Sequence, residues 1–170
     1  MATSLAATMQ LILKTTYNST AVDLTTPTSV ITQSMSDTLT DGDGSGLGEC
    51  VHSDSITASD GGTTIDLFGG VTDVYGNTLS MKSIKGLVIY NTSTSTGEYI
   101  DVFGNAQHLE YIDGATDSIR VHPEGILFFW SPGAAADCPS PGAGAADEIL
   151  ISAAAGKSPV IEYVVIGVNN

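Results

Sequence analysis

Apolar and polar positions in this chain alternate with a period of two far more often than they recur every three or four residues. That is the pattern of strands with one buried face. Thr63 to Leu67 is the clearest case: Ile65 and Leu67 point inward, Thr64 and Asp66 outward. Met9 to Lys14 is a short apolar run that reads as a first strand or a docking arm. Between Ser29 and Leu39, the residues Ile31, Met35 and Leu39 fit both a strand face and one side of a helix. The density of Thr and Ser there favours extended structure, because β-branched and hydroxyl side chains suit a pleat better than a helix. Val51 to Ala58, Glu98 to Phe103, Ser118 to Val121, Glu148 to Ser152 and Val160 to Val168 read as further strands.

Leu79 to Tyr90 is longer. Its residues Leu87, Val88, Ile89 and Tyr90 are apolar on both faces, as expected of a central strand, and Gly86 within it predicts a bulge or a close backbone approach. Gly125 to Trp130 (GILFFW) is the most apolar strand. Turn chemistry separates these runs: Asp41 to Gly46 (DGDGSG), Asp73 to Asn77, Asn91 to Gly97 (NTSTSTG) and the Ala/Gly/Pro-rich Ser131 to Ala146. About nine or ten short strands spaced this way predict an all-β fold, an antiparallel β-sandwich. We expect residues 1–28 to form an extended N-terminal arm and residues 29–170 a single sandwich domain. The core is expected to hold Ile65, Leu67, Val88, Ile100, Val102, Ile119, Val121, Leu127, Phe129, Ile149, Ile151 and Val165.

Composition narrows the function. The chain has 170 residues, enough for one domain with a real core, and only 14 % are charged, against about 25 % in ordinary domains. Ser and Thr, about a fifth of the chain, supply the polar surface instead. The net charge is −14 and the cations are five: Lys14, Lys82, Lys85, Arg120 and Lys157. Five scattered cations cannot line a phosphate backbone or an anionic membrane, so neither nucleic acid nor membrane is expected as a partner. Cys50 and Cys138 are expected as two free thiols, since one possible bridge is no framework. Met1 to Leu13 has no charged leader region and does not read as a signal peptide.

Motifs for chemistry are absent. His52, His108 and His122 have no partners at metal-ligand spacing, and Cys50 with His52 makes only a two-ligand fragment on one strand face. Asp41, Asp43 and Ser45, followed by Gly46, resemble the start of a calcium loop, but His52 stands where a bidentate Glu belongs. A solvated acidic turn is the simpler reading there, with Asp41 and Asp43 as the calcium ligands to check. No nucleophile elbow or phosphate loop occurs. Phe128, Phe129 and Trp130 could form a sugar-binding platform, though strand geometry turns adjacent side chains to opposite faces and core packing explains them more simply. The reading is a non-enzymatic protein without a cofactor.

The segment IDLFGGVTDVYGNTLSMKSIKGLVIYNTSTSTGEYIDVFG, within Thr64 to Tyr111, runs strand, turn, long strand ending at Asn91, Ser/Thr loop, strand. With Asp117 to Val121, Pro123-Glu124-Gly125 and the last strand Tyr163 to Val168, it resembles the small β-rich virion proteins of tailed phages, over about two thirds of the chain. The resemblance implies a capsid decoration (cement) protein, jelly-roll-like and homo-oligomeric, with a trimer as the expected number. It implies the major capsid protein as partner, assembly in the host cytoplasm and a place on the outer surface of the capsid. It brings no catalytic residues. In that setting Met9, Leu11, Ile12 and Leu13 are the expected subunit or capsid contacts. The alternative is a host-surface or carbohydrate-binding β-sandwich module of a fibre.

Overall fold

A computed structural model describes residues 4–18, 28–103, 117–142, 144 and 147–169. Twelve strands follow one another among the described residues, with a single 3-10 turn at Ala135–Asp137 and no α-helix. They are β1 (Ala6–Asn18), β2 (Thr28–Asp41), β3 (Leu47–Gly48), β4 (Cys50–Thr57), β5 (Thr63–Asp66) and β6 (Phe68–Thr72). Next come β7 (Thr78–Asn91), β8 (Ile100–Val102), β9 (Ile119–Val121), β10 (Ile126–Trp130), β11 (Glu148–Ala153) and β12 (Val160–Asn169). Residues 29–39, compatible by pattern with a helix, are therefore strand, as their Thr and Ser content favours.

The body is an antiparallel β-sandwich. One sheet has the order β10-β7-β12-β4, with β6 paired to the start of β7; the other has the order β5-β11-β8-β9. The chain crosses between sheets at Leu67, whose N–H donates to the Asp147 carbonyl and whose carbonyl accepts from Met81 N–H. Alternation then builds one core. Leu87, Ile89, Ile161, Tyr163 and Val165 point inward from the first sheet, and Ile65, Ile100, Val102, Val121, Ile149 and Ile151 from the second. Each such aliphatic side chain, fully buried, contributes about 1.5–3 kcal/mol. Asn91 is buried and satisfied: its side-chain amide donates to the Glu98 and Val121 carbonyls and its Oδ1 accepts from Ser93 N–H. That pins the Ser/Thr loop to the end of β7.

Of the residues expected in the core, Ile119, Leu127 and Phe129 are partly buried and pack against it. Val88 is a correction. It lies on the outer face of the first sheet and is half-buried, because β7 is central, its neighbours β10 and β12 are also apolar outward, and strand alternation sends Val88 away from Leu87 and Ile89. Both readings of Gly86 hold. The register of β12 on β7 slips between Ile166↔Gly86 and Gly167↔Ile84, which leaves Lys85 as the extra residue of a bulge. The Trp130 ring lies against Gly86, where a β-carbon would meet ring atoms at 3.0 Å. Gly167, across the bulge, approaches so closely that a β-carbon would sit 2.5 Å from the Ser83 carbonyl oxygen.

A third sheet stands apart from this sandwich. β1 and β2 form a two-stranded ribbon with thirteen register pairs, from Ala6↔Thr40 to Asn18↔Thr28. At a rise of about 3.4 Å per residue the ribbon is about 40 Å long. Among the described residues its base is tied to the body through a short parallel pairing of β2 with β3, through the buried Leu39 and through a Trp130–Asp37 hydrogen bond. The ribbon runs through residue 28, the expected boundary between arm and domain: residues 28–40 pair with β1, Thr40 and Asp41 with β3, and none of them with a strand of the two sandwich sheets.

Candidate interaction surface

Register separates the ribbon into two chemically different faces. One carries Ala7, Met9, Leu11 and Leu13 beside Leu39, Asp37, Met35, Gln33 and Ile31. The other carries Thr8, Gln10, Ile12, Lys14 and Thr16 beside Thr38, Ser36, Ser34, Thr32 and the exposed Val30. Met9, Leu11 and Leu13 therefore share the apolar face, while Ile12 stands on the Ser/Thr face opposite Ser34. Burial falls off along the apolar face with distance from the body. Leu39 is fully buried and Met9 half-buried, but Leu13 and Ile31 are 60 % exposed and Met35 63 %. Leu11 and Ile12 are exposed as well.

The ribbon base leans over the outer face of the first sheet. Ile126, Phe128 and Trp130 of β10, Val88 of β7, and Val164 and Ile166 of β12 make this face apolar as well. Between it and residues 8–11 of β1 lies an open groove of ≈ 460 Å³, of small-ligand size. Phe128 and Trp130 both face outward, two positions apart, with ring planes 16° apart and centroids at 6.5 Å. Phe129 between them turns inward against Phe103. The indole N–H of Trp130 donates to Asp37 Oδ2 at 2.8 Å, clasping β2 to β10 at the mouth of the groove. Gly86 makes the clasp possible, since any side chain there would lift the ring.

Beneath the clasp, Lys85 is fully buried at the bulge. Its ammonium donates to the Gly133 carbonyl and to the Gly44 carbonyl at 3.4 Å, and lies 3.6 Å from Cys138 Sγ. Ser131 N–H donates to the Lys85 carbonyl and Gly46 N–H to the Pro132 carbonyl. The Ala/Gly/Pro segment thus wraps a buried cation together with the 41–46 turn, and it fixes the root of the ribbon. Cys50 and Cys138 are both free and buried. Burial first, then the Glu49 carboxylate, pushes the Cys50 thiol up to about 11.

Among the described residues, the other candidates do not assemble into a reactive centre. Asp41 Oδ1 accepts from Leu5 N–H at 3.2 Å, and Asp43 pairs with Lys82 at 3.8 Å on the surface. Among the described residues, no three His, Cys, Asp or Glu side chains gather as a metal would need. His52 bridges β6 and β12. Its Nδ1 lies 2.7 Å from the Thr72 carbonyl, which can only accept, so in the neutral ring Nε2 accepts from the Tyr163 hydroxyl at 2.8 Å. Burial and then Asp54 push the Tyr163 phenol up to about 12. His122 packs against the Tyr99 ring, which also carries Arg120 on its face, and Arg120 in turn grips Asp101 with two hydrogen bonds at 2.9 Å. His108 lies outside the described residues.

The outer-face residues of β7, β10 and β12 were not expected at a surface, and neither were Ile31 and Met35. Their signal was in the chain: a strand apolar on both faces needs a cover on each, and the GILFFW triplet places two aromatics on whichever side the core is not. No protein-family model matches the chain, and no curated protein or solved structure matches it.

Proposed function

We propose that this chain is a virion structural protein, a capsid decoration (cement) protein that binds the outside of a phage head and stabilises the shell. One observation carries the reading: a ribbon of thirteen paired positions whose apolar face continues beyond the body with no cover among the described residues. A monomer gains nothing from exposing Leu13, Ile31 and Met35, whereas an assembly protein gains a preformed docking element. The major capsid protein is the partner and the assembly is homo-oligomeric. The net charge of −14 supports a place outside the shell, away from packaged nucleic acid. The capsid itself enters through the resemblance of the Thr64–Tyr111 pattern to phage virion proteins.

Add-back tests this. Heads lacking the chain are mixed with purified protein and pelleted. Saturable co-sedimentation at a fixed ratio to capsid protein is expected, and protein that stays in the supernatant at every concentration contradicts the reading. A fibre-borne carbohydrate-binding module is the second reading, favoured by the near-parallel, outward-facing Phe128 and Trp130 rings. Glycan-array binding lost on Phe128→Ala would replace the first reading with the second.

A further inference from the structure

The Ala/Gly/Pro segment buries a pair of nucleophiles that the assembly reading does not use. Lys85 is fully buried, and its ammonium meets the Gly44 and Gly133 carbonyls and Cys138 Sγ, the last at 3.6 Å. Among the described residues no carboxylate pairs with it: the ion pairs there belong to Lys82, Arg120 and Lys157. A buried cation is costly unless paired, and of the three groups that Lys85 touches only the thiol can carry negative charge. We propose that Lys85 and Cys138 form a redox-closed crosslink, in which a peroxide oxidises Cys138 and the lysine nitrogen then bonds directly to its sulfur. The crosslink goes beyond the assembly reading and stands whether or not that reading holds.

Surroundings select this cysteine. Cys50 and Cys138 are both 7 % exposed, so burial does not distinguish them. Cys50 sits beside the Glu49 carboxylate, which opposes negative charge on its sulfur. Cys138 sits beside an ammonium, which stabilises the charge that builds on sulfur as it attacks an oxidant. Its thiol donates to the Ser131 carbonyl at 3.1 Å, which leaves the sulfur lone pairs to the lysine. Ala134, Ala136 and Asp137 beside it are exposed, so only a thin turn separates the sulfur from solvent and from a molecule as small as hydrogen peroxide. Neither cysteine is in a disulfide, so the group in reach of an oxidised Cys138 is an amine and not a second thiol.

The chemistry balances in two steps. Cys138 Sγ attacks one oxygen of hydrogen peroxide, an S–O bond forms and the O–O bond breaks. Sulfur is oxidised to the sulfenic acid, the peroxide is reduced, and the departing hydroxide takes the thiol proton and leaves as water. Lys85 gives one proton to water, and its nitrogen lone pair attacks the sulfur. An S–N bond forms, the S–O bond breaks, and the hydroxide leaves as water with a second proton from nitrogen. Sulfenic acids condense with nitrogen in this way. The 3.6 Å contact is already within a few tenths of an ångström of the roughly 3–3.5 Å from which such attacks proceed. One N–H remains on the nitrogen for the Gly133 carbonyl. The link joins the β7 bulge to the segment that follows Trp130, so oxidation fixes the root of the ribbon beside the Trp130–Asp37 clasp. Two thiols of a reductant reverse it, becoming a disulfide as the amine and Cys138 thiol return.

Peptide mapping of the purified full chain tests the link. The folded protein is treated with hydrogen peroxide, quenched, unfolded, alkylated and digested with trypsin without reductant. Trypsin does not cut after a substituted lysine, so peptide 83–120 should appear joined to peptide 121–157, lighter by two hydrogen atoms than the two together. Dithiothreitol should return peptides 83–85, 86–120 and 121–157. Cys138 should be lost to alkylation at least ~10-fold faster than Cys50. The oxidised chain should also melt at a higher temperature, with the gain removed by dithiothreitol. Lys85→Arg keeps the cation but supplies no amine, so Cys138 should go on to sulfinic and sulfonic acid without a link. Should that variant not fold, the wild-type map decides alone. A wild-type Cys138 recovered as thiol or as unlinked acid, a joined pair that retains an oxygen atom, or Cys50 reacting as fast as Cys138 overturns the proposal.

Discussion

Asp37→Ala removes the acceptor that clasps the ribbon to the sandwich. Asp37 takes two hydrogen bonds, from the Trp130 indole N–H and from Thr38 N–H, both at 2.8 Å. The Thr38 bond is exposed, and water replaces it at little cost. The Trp130 bond is charge-assisted and half-buried, and after water re-solvates the freed groups its loss costs about 1–2 kcal/mol. Asp37 stands on the ribbon, outside the sandwich core, so the loss falls on ribbon docking and not on global unfolding. Opening of the ribbon base should become about 5–30-fold more frequent. Amide hydrogen exchange reads this directly: positions 7–13 and 31–39 should speed up by that factor, while Leu87, Ile89 and Ile151 stay unchanged. Trp130 is the only tryptophan, so its emission should shift red in the same variant. Asp37→Asn keeps a neutral acceptor and should lose roughly half as much. If ribbon and core amides speed up equally, ribbon and sandwich are one cooperative unit and the reasoning fails. Unchanged exchange and emission would show that the clasp contributes nothing.

Gly167→Ala should destabilise the fold by about 2–4 kcal/mol, because the new β-carbon meets a backbone oxygen that cannot swing aside; an unchanged thermal midpoint contradicts the close approach at the bulge. Leu87→Ala should cost about 2–5 kcal/mol by opening a cavity between the sheets, measured by urea denaturation, and a loss below about 1 kcal/mol would place Leu87 outside the core. Cys50 and Tyr163 keep their protons longer in the folded than in the unfolded chain, so their contribution to stability is complete below the ordinary thiol and phenol ranges. It is lost as pH climbs through about 11 and about 12, and melting points should decline over that alkaline window. A flat profile there would contradict the burial of both groups. Millimolar calcium should leave the melting point unchanged, since Asp41 and Asp43 face a backbone N–H and Lys82; a rise abolished by Asp43→Ala would make the loop a metal site.

The sandwich was legible in the chain because its inner positions obey a period of two. Ile65 and Leu67, Ile100 and Val102, and Ile149 and Ile151 each bracket one outward residue, and all six are buried. The turn residues were equally direct: Asp73 accepts from Tyr75 and Asn77 in the predicted turn, and the Asn77 side-chain amide holds the Asp73 carboxyl below the usual range. The interaction surface was less legible for a physical reason. An apolar side chain awaiting a partner has the same pattern as one already in the core, so Val88 and Phe128 looked like interior residues. Pairing leaves even less trace. Nothing in Ser29 to Leu39 names Met9 to Lys14 as its partner, because ladder hydrogen bonds come from the backbone and not from side chains. Lys85 shows the limit most plainly, since a buried lysine held by the carbonyls of two distant loops has no local signature.

Cryo-electron microscopy of the phage particle assembled with this chain tests the decoration reading most directly. Sandwich-shaped density is expected on the outer surface of the head, with a two-stranded ribbon leaving each body and lying on a neighbouring subunit or the shell. A head whose outer surface carries no such density, or density on a tail fibre with the ribbon pointing into solvent, would contradict it.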